Sequence, residues 1–254
     1  MSKYHKKNLT GKQIHILLPT LPTLMSTYSR DWGMGGANIM KPKLAVEFIG
    51  TFFLSLTICL AAAHGLAGEL APFAIASILM VLIYSGAHVS GAHYNPVVTI
   101  SIWIRGASEK SEVFPYILAQ LFGGALAALV TSNLIITGSY HEEFPLDSFD
   151  PTNSQTSAII ICEMLFTFAL VFVILNVATS ERNQGNGYFG VAISFVVLAG
   201  ALTVGSISLA SFNPAVTTSL IILGKMSLGD IWLHLTPQLI GGISAAYLFI
   251  FIED

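Results

Sequence analysis

Followed from one end to the other, the chain alternates between six long apolar runs, two short ones and the polar stretches that separate them. The long runs lie at roughly 44–63, 71–89, 114–137, 157–178, 188–208 and 231–252. Each is long enough to cross a bilayer as a helix, which takes about 20 apolar residues. The short runs, Val97 to Ile104 and Ala215 to Leu223, follow the second and fifth long ones and cannot span. Each short run is introduced by an Asn-Pro pair, Asn95-Pro96 and Asn213-Pro214. Asn is a preferred helix N-cap and Pro a preferred first helical residue, so each pair predicts a helix start. A half-length helix in a membrane chain must be buried in protein or line a watery cavity, because lipid cannot satisfy its open ends. If the two enter from opposite faces, their N-termini meet near the midplane and focus positive potential there.

The polar landmarks repeat. Glu47 opens Glu-Phe-Ile-Gly-Thr-Phe in the first run, and Glu163 opens Glu-Met-Leu-Phe-Thr-Phe in the fourth. Gln120-Leu-Phe-Gly-Gly in the third run matches Gln238-Leu-Ile-Gly-Gly in the sixth. From Glu47 to Glu163 is 116 residues; Asn95 to Asn213 and Gln120 to Gln238 are each 118. Each half holds three spans, an odd number, so the halves have opposite orientations. The sequence therefore predicts an inverted repeat, with its site at the pseudo-two-fold axis near the midplane. The predicted fold is an all-α membrane protein, six transmembrane helices plus two half-helices.

Composition agrees. The 254 residues are 54% hydrophobic and 10% charged, with mean hydropathy +0.72. The net charge of −3 points to no nucleic-acid partner. Cys59 and Cys162 lie inside apolar runs and are expected to pack rather than to pair. Residues 1–43 hold seven of the eleven Lys and Arg residues and are expected to form a disordered cytosolic tail ahead of a channel domain at 44–252. That domain divides into one repeat at about 44–137 and another at about 157–252. No cleaved leader is expected, and almost no tail beyond the last span. With six spans both termini share a side. Arg105, Lys110 and Arg182 fall there too, and Lys225 alone falls opposite. The connection 138–156 has no Lys or Arg but carries Glu142, Glu143, Asp147 and Asp150. The positive-inside rule therefore places both termini in the cytosol.

The paired Asn-Pro motifs, the Ser90-Gly91-Ala92-His93 that precedes the first, and the matched Glu and Gln residues are similar to those of the aquaporin and aquaglyceroporin family, the major intrinsic proteins. The resemblance covers about residues 44–252. It implies six tilted helices and two half-helices around one pore per subunit, assembled as a homotetramer in the lipid bilayer. The pore motifs would be Asn95, Pro96 and Val97, then Asn213, Pro214 and Ala215. Asn95 and Asn213 would each point an amide donor at passing water or hydroxyl, while the half-helix dipoles repel cations. The backbone carbonyls of Gly91, Ala92 and His93, and of Leu209, Ala210 and Ser211, would form a ladder of acceptors. Leu209 replaces a usual glycine, and Val97 replaces a usual alanine and should face away from the donor. Glu47 and Glu163, ionisable groups inside spans, would support the loops that carry the half-helices, with Gln120 and Gln238 in similar roles.

By the same resemblance the narrowest part of the pore falls on Ile75, Ala201, Ala210 and Val216. Most members have arginine at the last position. Here all four are apolar, so the pore is expected to be wide, poor in side-chain donors and open to small neutral solutes such as glycerol or urea as well as water. His88 falls near the inner mouth as a packed or wet histidine; His64 and His234, near span ends, are expected to meet water. No metal spacing occurs among the seven histidines, and no cofactor is expected.

Two other classes compete with the channel reading. Secondary transporters also use inverted repeats and broken helices, although the half-helix tips here carry neutral Asn rather than an ion-coupling carboxylate. An intramembrane enzyme finds no Ser-His-Asp set, no His-Glu-x-x-His and no Gly-x-Ser-x-Gly.

Overall fold

The computed structural model describes residues 40–152 and 155–253. Almost all of the predicted basic tail lies outside the described residues. Among the described residues six helices are long and apolar enough to cross a membrane: Met40–Ala63, Gly68–Ser90, Lys110–Ile135, Thr156–Thr179, Phe189–Ser208 and Leu228–Glu253, here spans one to six. The first half-helix is Pro96–Ile104 and the second is Pro214–Leu223. No strand occurs among the described residues; Phe149 and Met226 form a single isolated bridge. This is the expected all-α architecture, with several spans starting a few residues earlier than the apolar runs do.

The packing repeats by halves. Span one packs on spans two and three, and span four on spans five and six. Span three also meets the second half-helix, span six meets the first, and span two meets span five across the axis. The paired glycines of the Gln-x-x-Gly-Gly motifs make these approaches possible. A Cβ at Gly123 would strike the Phe48 carbonyl of span one, and one at Gly241 the Met164 carbonyl of span four. A Cβ at Gly124 would lie 2.6 Å from the Ala215 carbonyl oxygen, and one at Gly242 would overlap the Val97 side chain. Each first glycine therefore joins two spans of one repeat. Each second glycine admits the half-helix of the other repeat.

Spans two and five both stop in a left-handed C-cap, Gly91 at φ 87° and Leu209 at φ 64°. Glycine enters that region freely, whereas a side chain costs roughly 1–2 kcal/mol there. Leu209 thus holds the turn of a glycine at an energetic cost, and the loop after span five keeps the form of the loop after span two.

Candidate functional site at the meeting of the half-helices

Each half-helix begins as its Asn-Pro pair requires. Asn95 (φ −155°, ψ 122°) and Asn213 (φ −155°, ψ 115°) are extended N-caps. The Asn95 side-chain oxygen accepts from the Val97 N–H and that of Asn213 from the Ala215 N–H, both at 2.9 Å. Their amide nitrogens then cross between the repeats. Asn95 Nδ2 donates to the Phe212 carbonyl and Asn213 Nδ2 to the Tyr94 carbonyl, each at 2.9 Å. A side-chain amide has two donor hydrogens, so one N–H of each Asn remains beyond the bond that joins the tips.

The loop before each tip is folded around a buried glutamate. Glu47 and Glu163 are both fully buried. Glu47 Oε1 accepts from the Ser90 hydroxyl at 2.6 Å and the His93 N–H at 2.9 Å. Its Oε2 accepts from the Tyr94 N–H at 2.7 Å and Gln120 Nε2 at 2.8 Å. Glu163 repeats the set, with Ser208 Oγ at 2.8 Å, Ser211 N–H at 3.0 Å, Phe212 N–H at 2.9 Å and Gln238 Nε2 at 2.8 Å. The Ser90 and Ser208 hydroxyls also accept from the Ala92 and Ala210 N–H groups, at 3.1 and 3.2 Å. Two successive N–H groups in each loop thus turn toward one acidic anchor, and the N–H before them turns to the serine that the anchor binds, as in backbone nests that hold anions. The left-handed residues Gly91, Ala92 and Tyr94, then Leu209, Ala210 and Phe212, make that turn possible.

Gln120 and Gln238 close the anchors onto the half-helices. The Gln120 amide also donates to Thr99 Oγ1 at 2.9 Å, and the Gln238 amide to Thr217 Oγ1 at 3.1 Å. His93 Nδ1 in turn lies 3.2 Å from Thr99 Oγ1, and the Ser211 and Thr217 hydroxyls share a hydrogen bond at 2.7 Å. Reasoning from sequence missed Thr99 and Thr217, and gave Ser90 and Ser208 no role. All four obey the offset of 118 residues that relates the Asn-Pro pairs, so the repeat itself held the signal. Tyr116 and His234 obey the same offset with different residue types. They donate to the Ser90 and Ser208 carbonyls at 2.9 and 2.7 Å.

Of the four apolar positions, Val216 and Ile75 are buried within the apolar core, and Ala201 and Ala210 are half-buried. Val97 is fully buried, against Gly242. Pro96, Pro214 and Ala215 are buried at the helix starts. Two expectations are overturned. His64 and His234 do not meet water: His64 is 6% exposed and His234 fully buried. Helix ends are wet only where no loop covers them. Here the connection 136–152 lies over both, with His64 Nδ1 donating to the Phe144 carbonyl at 2.9 Å and the Phe149 ring edge-on to His234. His88 is exposed, and Cys59 and Cys162 are unpaired.

Cations sit at the far end of each half-helix. Arg105 caps the first, donating from Nε and Nη2 to the Thr179 hydroxyl and carbonyl at 2.9 and 2.8 Å, with its guanidinium 5.3 Å from the Phe249 ring centroid. Lys225 follows the second and donates to the Asp147 carbonyl. Burial draws the Lys225 pKa below the ordinary lysine value, and the Asp147 charge opposes that. Both cations lie at the negative ends of helix dipoles.

An inverted repeat of six spans, with two half-helices meeting tip to tip, defines a class of membrane transport protein. The family profile described as Major intrinsic protein matches residues 70–249. Aquaporin NIP1-1 of Zea mays is 31% identical over 229 residues, which are 86% of this chain and 78% of that protein. Aquaporin NIP1-1 of Arabidopsis thaliana is 34% identical over 218 residues, 82% of this chain and 72% of its own length. The X-ray structure of the aquaglyceroporin from Plasmodium falciparum superposes with TM-score 0.69 at 21% identity, covering 83% of this chain and 96% of that one, and shows the same fold. The chain belongs to the major intrinsic protein family. It is an integral multi-pass membrane protein and a passive channel for water and small solutes, not an enzyme. Family membership decides against the transporter reading.

Proposed function

We propose that solutes cross between the half-helix tips. There the second amide hydrogens of Asn95 and Asn213 donate to water or hydroxyl groups, and the carbonyls of Gly91, Ala92, His93, Leu209, Ala210 and Ser211 accept. The reciprocal Asn95–Phe212 and Asn213–Tyr94 bonds carry this reading, because they hold both amides at one point and leave each with a spare donor. The acidic anchors support the ladder. They bind the N–H groups of each loop on one side, and no protein donor among the described residues reaches those six carbonyls. In this reading Glu47, Glu163, Gln120 and Gln238 are supports with no solute contact.

The constriction is formed by Ile75, Ala201, Ala210 and Val216. Its walls carry no donor or charge, so size governs passage, and uncharged solutes of glycerol or urea size pass with water. The likeness of fold to an aquaglyceroporin supports that range. The channel assembles as a homotetramer in the bilayer with both termini in the cytosol, as the distribution of Lys and Arg favours. The basic N-terminal segment is then a cytosolic tail ahead of a channel domain at 44–252.

Proteoliposome swelling in water, glycerol and urea, with and without ion gradients, tests the function. All three should pass independently of the gradients. Val216→Arg adds charge and donors at the constriction. It should lower glycerol and urea flux about tenfold relative to water if the added barrier reaches about 1.4 kcal/mol. A correctly assembled variant whose three fluxes fall in proportion removes Val216 from the constriction.

A further inference from the structure

His234 stands where Tyr116 stands in the other repeat, 118 residues away. Both are fully buried, and both donate to the carbonyl of the serine that ends the preceding long span. A carbonyl only accepts, so the His234 proton sits on Nε2. His234 Nδ1 is buried and has no partner among the described residues. Ser208 is also the residue whose hydroxyl binds Glu163 and receives the Ala210 N–H. Immediately after it come the left-handed Leu209 and Ala210. One imidazole N–H therefore fixes the carbonyl from which the loop Leu209–Ser211 departs.

The two positions differ in what lies against the ring. Tyr116 meets His93 of its own loop, with centroids 5.1 Å apart. His234 meets Phe149 at 6.4 Å and 78°, and Phe149 belongs to the acidic connection 136–152. That connection is fastened to the far end of the second half-helix. The Phe149 N–H donates to the Lys225 carbonyl at 2.7 Å, Phe149 bridges to Met226, and Lys225 reaches the Asp147 carbonyl. His64 holds it again at Phe144.

We infer that His234 is a positioning residue that couples the acidic connection 136–152 to the lining loop Leu209–Ser211, so that the seating of the connection tunes which solutes pass. The inference rests on the reading of that loop as pore lining. The full chain in proteoliposomes, with water and glycerol permeability read by stopped flow, tests it. His234→Leu removes the donor, and the glycerol-to-water ratio should change about fivefold, the scale of one buried hydrogen bond. His234→Gln keeps an N–H at similar reach and should return the ratio to within about twofold of native. Phe149→Ala leaves the histidine bond in place, and should shift the ratio in the same direction as His234→Leu but less. A folded His234→Leu that lowers both fluxes in proportion makes the residue merely structural and overturns the inference. So does Phe149→Ala at the native ratio, which is decisive even if His234→Leu fails to fold. Ala210→Trp separates the two readings. If it leaves flux unchanged, the loop does not line the pore. If it blocks flux while the His234 and Phe149 variants keep the native ratio, only the coupling fails.

Discussion

Tyr94 and Phe212 hold the same place in the two repeats, but the room for each ring is made differently. The Tyr94 ring lies where a Cβ at Gly50 in span one would be and its hydroxyl where one at Gly86 in span two would be, and that hydroxyl donates to the Leu82 carbonyl at 3.0 Å. Phe212 lies over Gly200 in span five and stacks on Phe166 at 5.4 Å. Phe166 follows Gly50 by 116 residues, and Gly200 follows Leu82 by 118, so large and small residues have changed places. Around the glutamates nothing has changed places: each anchor receives a serine hydroxyl, two N–H groups and a glutamine amide. A buried carboxylate needs all its partners at fixed distances, and losing one leaves charge uncompensated. An apolar core accepts many arrangements of equal volume. The repeats have diverged in packing and kept their polar geometry.

The largest test of that contrast is at the anchors. Glu47→Gln and Glu163→Gln each turn an acceptor into a donor facing donors. Each should cost on the order of 3–5 kcal/mol, read as lost monodisperse protein in detergent and a lower melting temperature. Similar losses are expected in both halves, and tolerance of either variant would break the equivalence.

Packing should show the opposite behaviour. Gly242→Ala drives a methyl into the Val97 side chain and should cost about 1–3 kcal/mol, most of it recovered in Val97→Ala/Gly242→Ala. Gly124→Ala meets the Ala215 backbone carbonyl instead, so no trimming of the Ala215 side chain should rescue it. Thermal melts of the two single variants and the double variant decide this, and a double variant no more stable than Gly242→Ala would mean the Val97 contact is not the cause.

The cations beyond the half-helices sharpen the comparison further. Arg105→Ala loses two hydrogen bonds and a ring contact, and should cost about 1–2 kcal/mol. Lys225→Ala loses one bond at a partly exposed site, and should cost about 0.5–1 kcal/mol. Melting temperatures in that order support the assignment; the reverse order would mean that the second half-helix depends more on its cation.

The smallest effect is expected at the two left-handed turns. Gly91→Ala forces a side chain into φ 87° and should lose about 1 kcal/mol. Leu209→Gly gains a similar amount and loses the packing of a half-buried isobutyl group, so its net change should lie within about 0.5 kcal/mol of zero. A large loss in Leu209→Gly would show that Leu209 is retained for its contacts.

By itself the sequence determined the six spans, the two half-helix starts and the inverted repeat. Apolar run length, Asn-Pro capping and a constant offset are local or one-dimensional signals, and each has a direct physical meaning. Val97 and Leu209 could be flagged as departures, but what they touch could not. Only the tertiary structure decided that each Asn amide bonds the carbonyl of the other repeat, that the second glycine of each pair receives the opposite half-helix, and that the connection 136–152 buries His64 and His234. Those contacts join residues from about 80 to more than 100 positions apart. Their partners are backbone carbonyls and missing Cβ atoms, which carry no residue type for a sequence to display.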